Sequence, residues 1–205
     1  MNNQKNKPIC DYSNYDYQQE YWHEHNRIYE DICEKAVLKK LFQKIQSQNK
    51  PTTKILDVGC GFGRLFPAYM AFGQEFFLLD YAQNLLDQAK KKLSVFKKEI
   101  HYIQGDLYKL PFPKDSFDVI LTVRTLHHIE NLPAFFKQVD AALNKQGFFI
   151  LEVPNKRHFL QILRFFFFQA KTNPFSQEPY YLDKLFINYH PSYVQKLLTQ
   201  NGFRI

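Results

Sequence analysis

A chain of 205 residues, 45% hydrophobic and 23% charged, is the right size for one α/β domain with a sizeable core. Its net charge of +7 comes from lysines scattered in groups such as Lys90-Lys91-Lys92 and Lys97-Lys98, with no arginine stripe among aromatics. That pattern reads as solvated helix faces and disfavours a nucleic-acid partner.

No apolar run reaches membrane-spanning length, and the start, Met1 to Lys7, lacks the apolar stretch of a signal peptide. The three cysteines, Cys10, Cys33 and Cys60, form no C-x-x-C and no zinc spacing. Reduced thiols, no metal site and a cytoplasmic location are therefore expected.

Residues 1 to 16 are polar. From Tyr17 to Gln46, Ile28, Ile32, Val37, Leu41 and Ile45 recur near a helical period, until Asn49 to Thr53 breaks it; residues 1–50 read as a polar tail and helical cap. Strand one is Lys54 to Val58. An acid, Asp57, and three alternating glycines, Gly59, Gly61 and Gly63, then mark a buried strand turning sharply into a helix. A turn without side chains at every second position lets a ligand lie against the backbone, before a helix N-terminus with free N–H groups. Cys60 reads as a small turn residue rather than a nucleophile.

The alternation continues with a helix from Arg64 to Phe72, closed by Gly73, and a strand from Glu75 ending at Asp80. A helix from Gln83 to Phe96 follows, with Leu86, Ala89, Leu93 and Phe96 inward. Ile100 to Gln104 is a strand followed by Gly105-Asp106, and Phe117 to Val123 another. Leu132 to Asn144 is a helix stopped near Gly147, and Phe148 to Val153 a strand. Five apolar strands separated by helices predict a doubly wound, mostly parallel sheet, with residues 51–155 as the core. Asp118, at a strand start, reads as structural.

Beyond Pro154 the rhythm changes. His158 to Lys171 is a helix with an aromatic body, Asn173 to Tyr189 is rich in Pro and Tyr, and His190-Pro191-Ser192 opens a last helix through Gln200. Residues 156–205 read as a lid insertion and last helix, with another strand starting at Phe203-Arg204-Ile205.

Dinucleotide oxidoreductases place G-x-G-x-x-G after strand one. Here the spacing is G-x-G-x-G, followed by Arg64. The set Asp57-x-Gly59-x-Gly61-x-Gly63, Asp80 closing strand two and Gly105-Asp106-Leu107 closing strand three resembles the class I S-adenosylmethionine-dependent methyltransferases. Leu110-Pro111-Phe112, Phe117-Asp118-Val119-Ile120 and Leu126-His127-His128-Ile129 are similar to that family's small-molecule branch, which includes quinone-biosynthesis methyltransferases. The resemblance covers roughly residues 50 to 155.

It implies a Rossmann-like fold, S-adenosylmethionine as cofactor and a small-molecule methyl acceptor. It places the cofactor against Gly59, Cys60 and Gly61, with Asp57 orienting the turn and the ligand's ammonium. Asp80 would hold the ribose hydroxyls, Tyr81 would pack on adenine, and Asp106 with the Leu107 N–H would meet the adenine amino group. Val123 and Arg124, at the end of strand four, join this set. So do Trp22 and Arg27, on a helix that closes over the cofactor in related enzymes. Each has a plainer reading: Asp80 as a helix cap, Asp106 as a turn acid, Trp22 as core and Arg27 as half of an ion pair.

Transfer from a sulfonium is an in-line displacement, so a base is required only for an acceptor that must lose a proton. His127 is the candidate, and His128 reads as structural. No Asn/Asp-Pro-Pro-aromatic motif occupies Val123 to Leu126, which disfavours nucleobase or amide nitrogen as acceptor. Segment 158–171, around Arg164 to Phe168, could line an apolar acceptor pocket or make peripheral membrane contact, or pack on its own core. Family members usually finish with a strand hairpin that is missing here, so strand five would be an exposed edge. Truncation, a homo-oligomer completing the sheet, or a cofactor-binding protein without transfer activity would each account for that. A nicotinamide-dependent oxidoreductase is the remaining alternative.

Overall fold

The computed structural model describes Trp22 and residues 27–48, 52–182 and 186–205. Helix α1 (Ile28–Gln46) leads into β1 (Lys54–Val58), α2 (Phe66–Tyr69), β2 (Glu75–Asp80), α3 (Gln83–Leu93), β3 (Glu99–Gln104) and β4 (Phe117–Thr122). After a single 3-10 turn, Leu126–His128, come α4 (Leu132–Ala142), β5 (Leu143–Leu151), α5 (Phe159–Phe166), β6 (Tyr180–Tyr181), β7 (Ile187–Asn188) and α6 (Pro191–Gln200).

β1 to β5 form one parallel sheet in the order β3-β2-β1-β4-β5, and β6 and β7 a separate antiparallel pair. The expected five-stranded doubly wound sheet is thus present. β1 and β4 are its most buried strands, because each pairs on both edges and is covered on both faces. One face packs Leu56, Val58 and Ile120 against Phe135, Phe136 and Val139 of α4 and Val194 of α6. The other packs Ile55, Leu78, Val119 and Leu121 against Leu38, Phe42 and Ile45 of α1 and Phe66 and Tyr69 of α2. Chain order reverses between β1 and β4, so a crevice opens beyond their carboxyl ends, where such sheets bind ligands.

Several elements depart from the sequence expectation: α3 ends at Leu93 rather than Phe96, α5 at Phe166 rather than Lys171, and residues 203–205 form no strand. Of the apolar stripe assigned to the first helix, Ile28, Ile32, Val37 and Leu41 are exposed; the face that packs is Leu38, Phe42 and Ile45. Phe42 stacks on Tyr69 and Phe72 at 5.7 and 5.4 Å, and those rings decide which side of α1 turns inward. The second helix is four residues long rather than nine. Its flanks close through i→i+3 bonds, Phe66 N–H to the Gly63 carbonyl and Phe72 N–H to the Tyr69 carbonyl, and Pro67 has no N–H to donate.

The fifth strand begins at Leu143, so α4 ends two residues early and Gly147 lies inside a strand. Asp115 and Ser116 donate their N–H groups to the Ala141 and Ala142 carbonyls. The Asn144 amide donates to Asp118 at 2.7 Å, so Leu143 pairs with Phe117 ahead of a bulge. Asp118 also accepts from the Thr53 and Lys54 N–H groups, a structural task at the sheet end remote from the crevice. No helix among the described residues is long and apolar enough to cross a membrane.

Candidate functional site

The turn after β1 is held against β2 by its own N–H groups. Gly59 and Cys60 donate to the Leu79 carbonyl at 2.8 and 3.2 Å, and Gly61 donates to Asp80 Oδ2 at 2.8 Å. No N–H of these three residues remains to cradle a phosphate, so the turn is not an anion nest. It is a wall of bare backbone backed by acids. Gly61 has φ of +54°, and a Cβ added there would meet no atom within 4 Å: the space a side chain would fill is open crevice. At Gly59, with φ of +76°, a Cβ would fall 2.2 Å from Thr125 Oγ1, so the turn and the loop after β4 close on each other there.

A single cavity joins these parts. Its walls include Trp22, Asp57, Gly59, Cys60, Gly61, Asp80, Tyr81, Asp106, Leu107, Val123 and Arg124, eleven of the thirteen residues expected from the sequence. Asp57, at the end of β1, is buried and accepts from the Tyr69 hydroxyl at 2.8 Å. Burial pushes its carboxyl up to about 7; the Tyr69 bond opposes that shift and the Asp80 charge adds to it. Asp80 places Oδ2 on Gly61 N–H and Oδ1 on Ala82 N–H at 3.0 Å. It therefore ties the turn to the start of α3. Asp106 accepts from Tyr108 N–H at 2.8 Å, an Asx turn that fixes the loop after β3. Burial raises the Cys60 thiol well above its ordinary value, which leaves it unreactive.

The remaining two residues do not reach the cavity wall. Arg27 pairs with Glu30 at 3.3 Å on α1. His127 stacks on Phe186 at 5.0 Å, and burial, with His128 and Arg124 beside it, holds it down to about 3. It is a neutral, packed ring at physiological pH. His128, assigned a structural part from the sequence, lines the cavity instead, as do Arg64, Thr125 and Tyr108.

Arg64, which no motif in the sequence singles out, also stands on the cavity wall. Its guanidinium lies 3.8 Å from the centre of the Trp22 ring, meets Asp31 at 2.6 Å and forms an ion pair with Glu34. Arg124, in a left-handed conformation with φ of +57°, reaches the same Glu34 at 3.3 Å, while its N–H donates to Glu152 at 2.6 Å. The acids at i and i+3 of α1, Asp31 and Glu34, were the sequence signal for a basic partner on the core. At the other end of the sheet, Glu75, Glu99 and His101 lie close enough to share a cation, and Lys54 pairs with Glu75 at 3.1 Å.

Comparison with known proteins agrees with this geometry. Residues 56–151 match the model of a family described as a methyltransferase domain. An uncharacterised methyltransferase of Schizosaccharomyces pombe is 35% identical over 109 residues, 48% of this chain and 39% of that protein. A ubiquinone biosynthesis O-methyltransferase of Pelagibacter ubique is 30% identical over 115 residues, 55% of this chain and 48% of its own. The chain thus spans half or less of these two relatives. The crystal structure of an S-adenosylmethionine-dependent methyltransferase from Clostridium acetobutylicum superposes with a TM-score of 0.63 at 16% identity, over 90% of this chain and 84% of the other; that likeness is one of fold. Neither the oxidoreductase nor the inactive-binder alternative gains support from these relatives.

Proposed function

We propose that this chain, whose residues 56–151 match the model of a methyltransferase-domain family and whose sheet shares the fold of a solved S-adenosylmethionine-dependent methyltransferase, binds S-adenosylmethionine in the cavity and transfers its methyl group to a small acceptor. One observation carries the reading: the cavity floor is acidic and the N–H groups of Gly59, Cys60 and Gly61 are occupied. Such a floor repels a pyrophosphate and suits a ligand with an ammonium and a sulfonium and no phosphate. S-adenosylmethionine supplies an activated methyl on a positively charged sulfur. Everything else falls to the chain.

Gly61 gives the ligand a flat place against the backbone. Asp57, ionised, faces the ammonium; Asp80, a carboxylate at the end of β2 on the cavity wall, accepts from the ribose hydroxyls. Asp106 and Leu107 N–H receive the adenine edge, with Tyr81 beside it. Arg64, rather than Arg27, is the cation positioned for the methionine carboxylate, held on Trp22 by its acidic partners. Thr125 and His128 then border the acceptor side, where His128 replaces His127 as the group able to take a proton. Holding acceptor and methyl in line, away from water, is worth up to roughly 7–11 kcal/mol, so a proton acceptor is secondary. A small apolar or aromatic acceptor fits the apolar residues among these walls, and residues 51–155 serve as the cofactor-binding unit.

The test is calorimetric titration with S-adenosylmethionine, followed by transfer of labelled methyl to phenolic and carboxylic acceptors. Saturable binding with transfer is expected. A folded protein that takes up no S-adenosylmethionine would end this reading; binding of reduced nicotinamide dinucleotide in its place would return the chain to the oxidoreductases.

A further inference from the structure

Helix α5 presents two faces. Gln161, Ile162 and Phe165 are half-buried, and Phe165 meets Phe175 edge-on at 5.6 Å. Phe159, Leu160, Leu163 and Phe166, spaced i, i+1, i+4 and i+7, form an outer stripe, and all four are exposed. The stripe runs on into Phe167 and Phe168. Phe168 is 98% exposed and has φ of +55°, a conformation rare for a bulky side chain. Scattered exposed apolar residues are ordinary on a protein surface; six large ones within ten positions are a patch.

Its charge is one-sided. From Pro154 to Gln177 there is no Asp or Glu, and Arg157, Arg164 and Lys171 are exposed among the rings. The fourth cation, Lys156, is buried and donates to the Ser176 and Glu178 carbonyls at 3.1 and 2.7 Å. That clamp closes residues 156 to 178 into one loop carrying the stripe.

We infer that α5 and its Phe166–Phe168 end form a peripheral membrane anchor for an anionic lipid surface. The rings enter the headgroup–acyl boundary while Arg157, Arg164 and Lys171 meet the headgroups. Rings or cations alone give only marginal attachment; together they supply the two signals that stable association requires. Self-association through this face is opposed by its charge, since a two-fold interface would bring three cations against the same three. The inference is independent of methyl transfer, because vesicle binding is read with no cofactor present.

The experiment is co-sedimentation of the full chain with vesicles of phosphatidylcholine, and of phosphatidylcholine mixed with phosphatidylserine. Binding to the mixed vesicles is expected, at least about tenfold above phosphatidylcholine alone and weakening with salt. The triple variant F166S/F167S/F168S should lose at least about tenfold in partition. R164E/K171E should lose of order fivefold or more per charge and with it the preference for phosphatidylserine. All five positions are exposed, so unchanged thermal midpoints are expected to show that the variants fold. Wild-type protein left in the supernatant with both vesicles would overturn the proposal. A triple variant that sediments like wild type would do the same, as would a mass that doubles in analytical ultracentrifugation only when the three rings are present.

Discussion

Replacing Asp57 by Asn isolates what one buried carboxylate contributes to ligand affinity. Its carboxyl is pushed up to about 7 by burial, with the Asp80 charge adding to the shift. A cationic ligand favours the ionised form, so binding expels a proton from molecules in which Asp57 is still protonated. Affinity for S-adenosylmethionine therefore rises with pH towards that value and then flattens. The ligand's own amino group, at about 7.7–8.0 for ordinary α-amino groups, bounds the window on the alkaline side.

Between about pH 6 and about pH 7.5 the ionised fraction climbs from about a tenth to about three quarters, roughly an eightfold gain or about 1.2 kcal/mol. Calorimetry in two buffers of different ionisation enthalpy reads the net proton: about 0.9 released per ligand at about pH 6, falling to about zero at about pH 7.5, where uptake by the ligand's amino group roughly cancels the release from Asp57. Asp57→Asn, which keeps an oxygen for the Tyr69 hydroxyl, is expected to bind more weakly and to lose the slope. Tyr69→Phe removes the bond that lowers the Asp57 value, so the rise moves to higher pH. An Asp57→Asn protein with the wild-type slope would refute the reasoning, because another group would then be titrating.

Three further predictions separate folding from binding around this turn. Gly59→Ala forces a Cβ to 2.2 Å from Thr125 Oγ1 at a positive φ, a cost of about 2–3 kcal/mol and roughly 5–10 °C in Tm; a drop under about one degree would show that the threonine yields freely. Gly61→Ala meets only open space, so its stability loss should stay near 1 kcal/mol while the methyl group cuts affinity more than about tenfold, and unchanged affinity would move the ligand away from this wall. Asp80→Ala frees two backbone N–H groups, about 2–4 kcal/mol of stability, and should weaken binding at least about a hundredfold; wild-type affinity in the folded variant would leave Asp80 a helix cap alone.

Those residues that the backbone itself positions were legible in the sequence. Asp57, Gly61, Asp80 and Asp106 sit at strand ends or in the turns that follow, and strand ends are set by hydrophobic runs that any reading of the chain finds. Arg64 and His128 were not, because their places depend on where α1 lies and on how the loop after β4 coils. The two adjacent histidines show the limit well: both rings lie against Phe186, at 5.0 and 5.1 Å, yet only His128 lines the cavity, and no periodicity in the sequence chooses between them. The apolar stripe of α1 failed for a related reason. Isoleucines and valine made the better pattern, but stacking of Phe42 on Tyr69 and Phe72 set the rotation, and that partnership spans about thirty residues of chain.

Trp22 is the chain's one indole, and it stands on the cavity wall with a guanidinium against its face. Its emission is therefore uncrowded by any other tryptophan and reports on that wall alone. A ligand that draws Arg64 off the ring changes the quenching there, so occupancy can be followed by fluorescence on unlabelled material in real time. The thirteen tyrosines stay silent when excitation is set at the red edge. Evolution has in effect left an optical gauge at the mouth of the cavity.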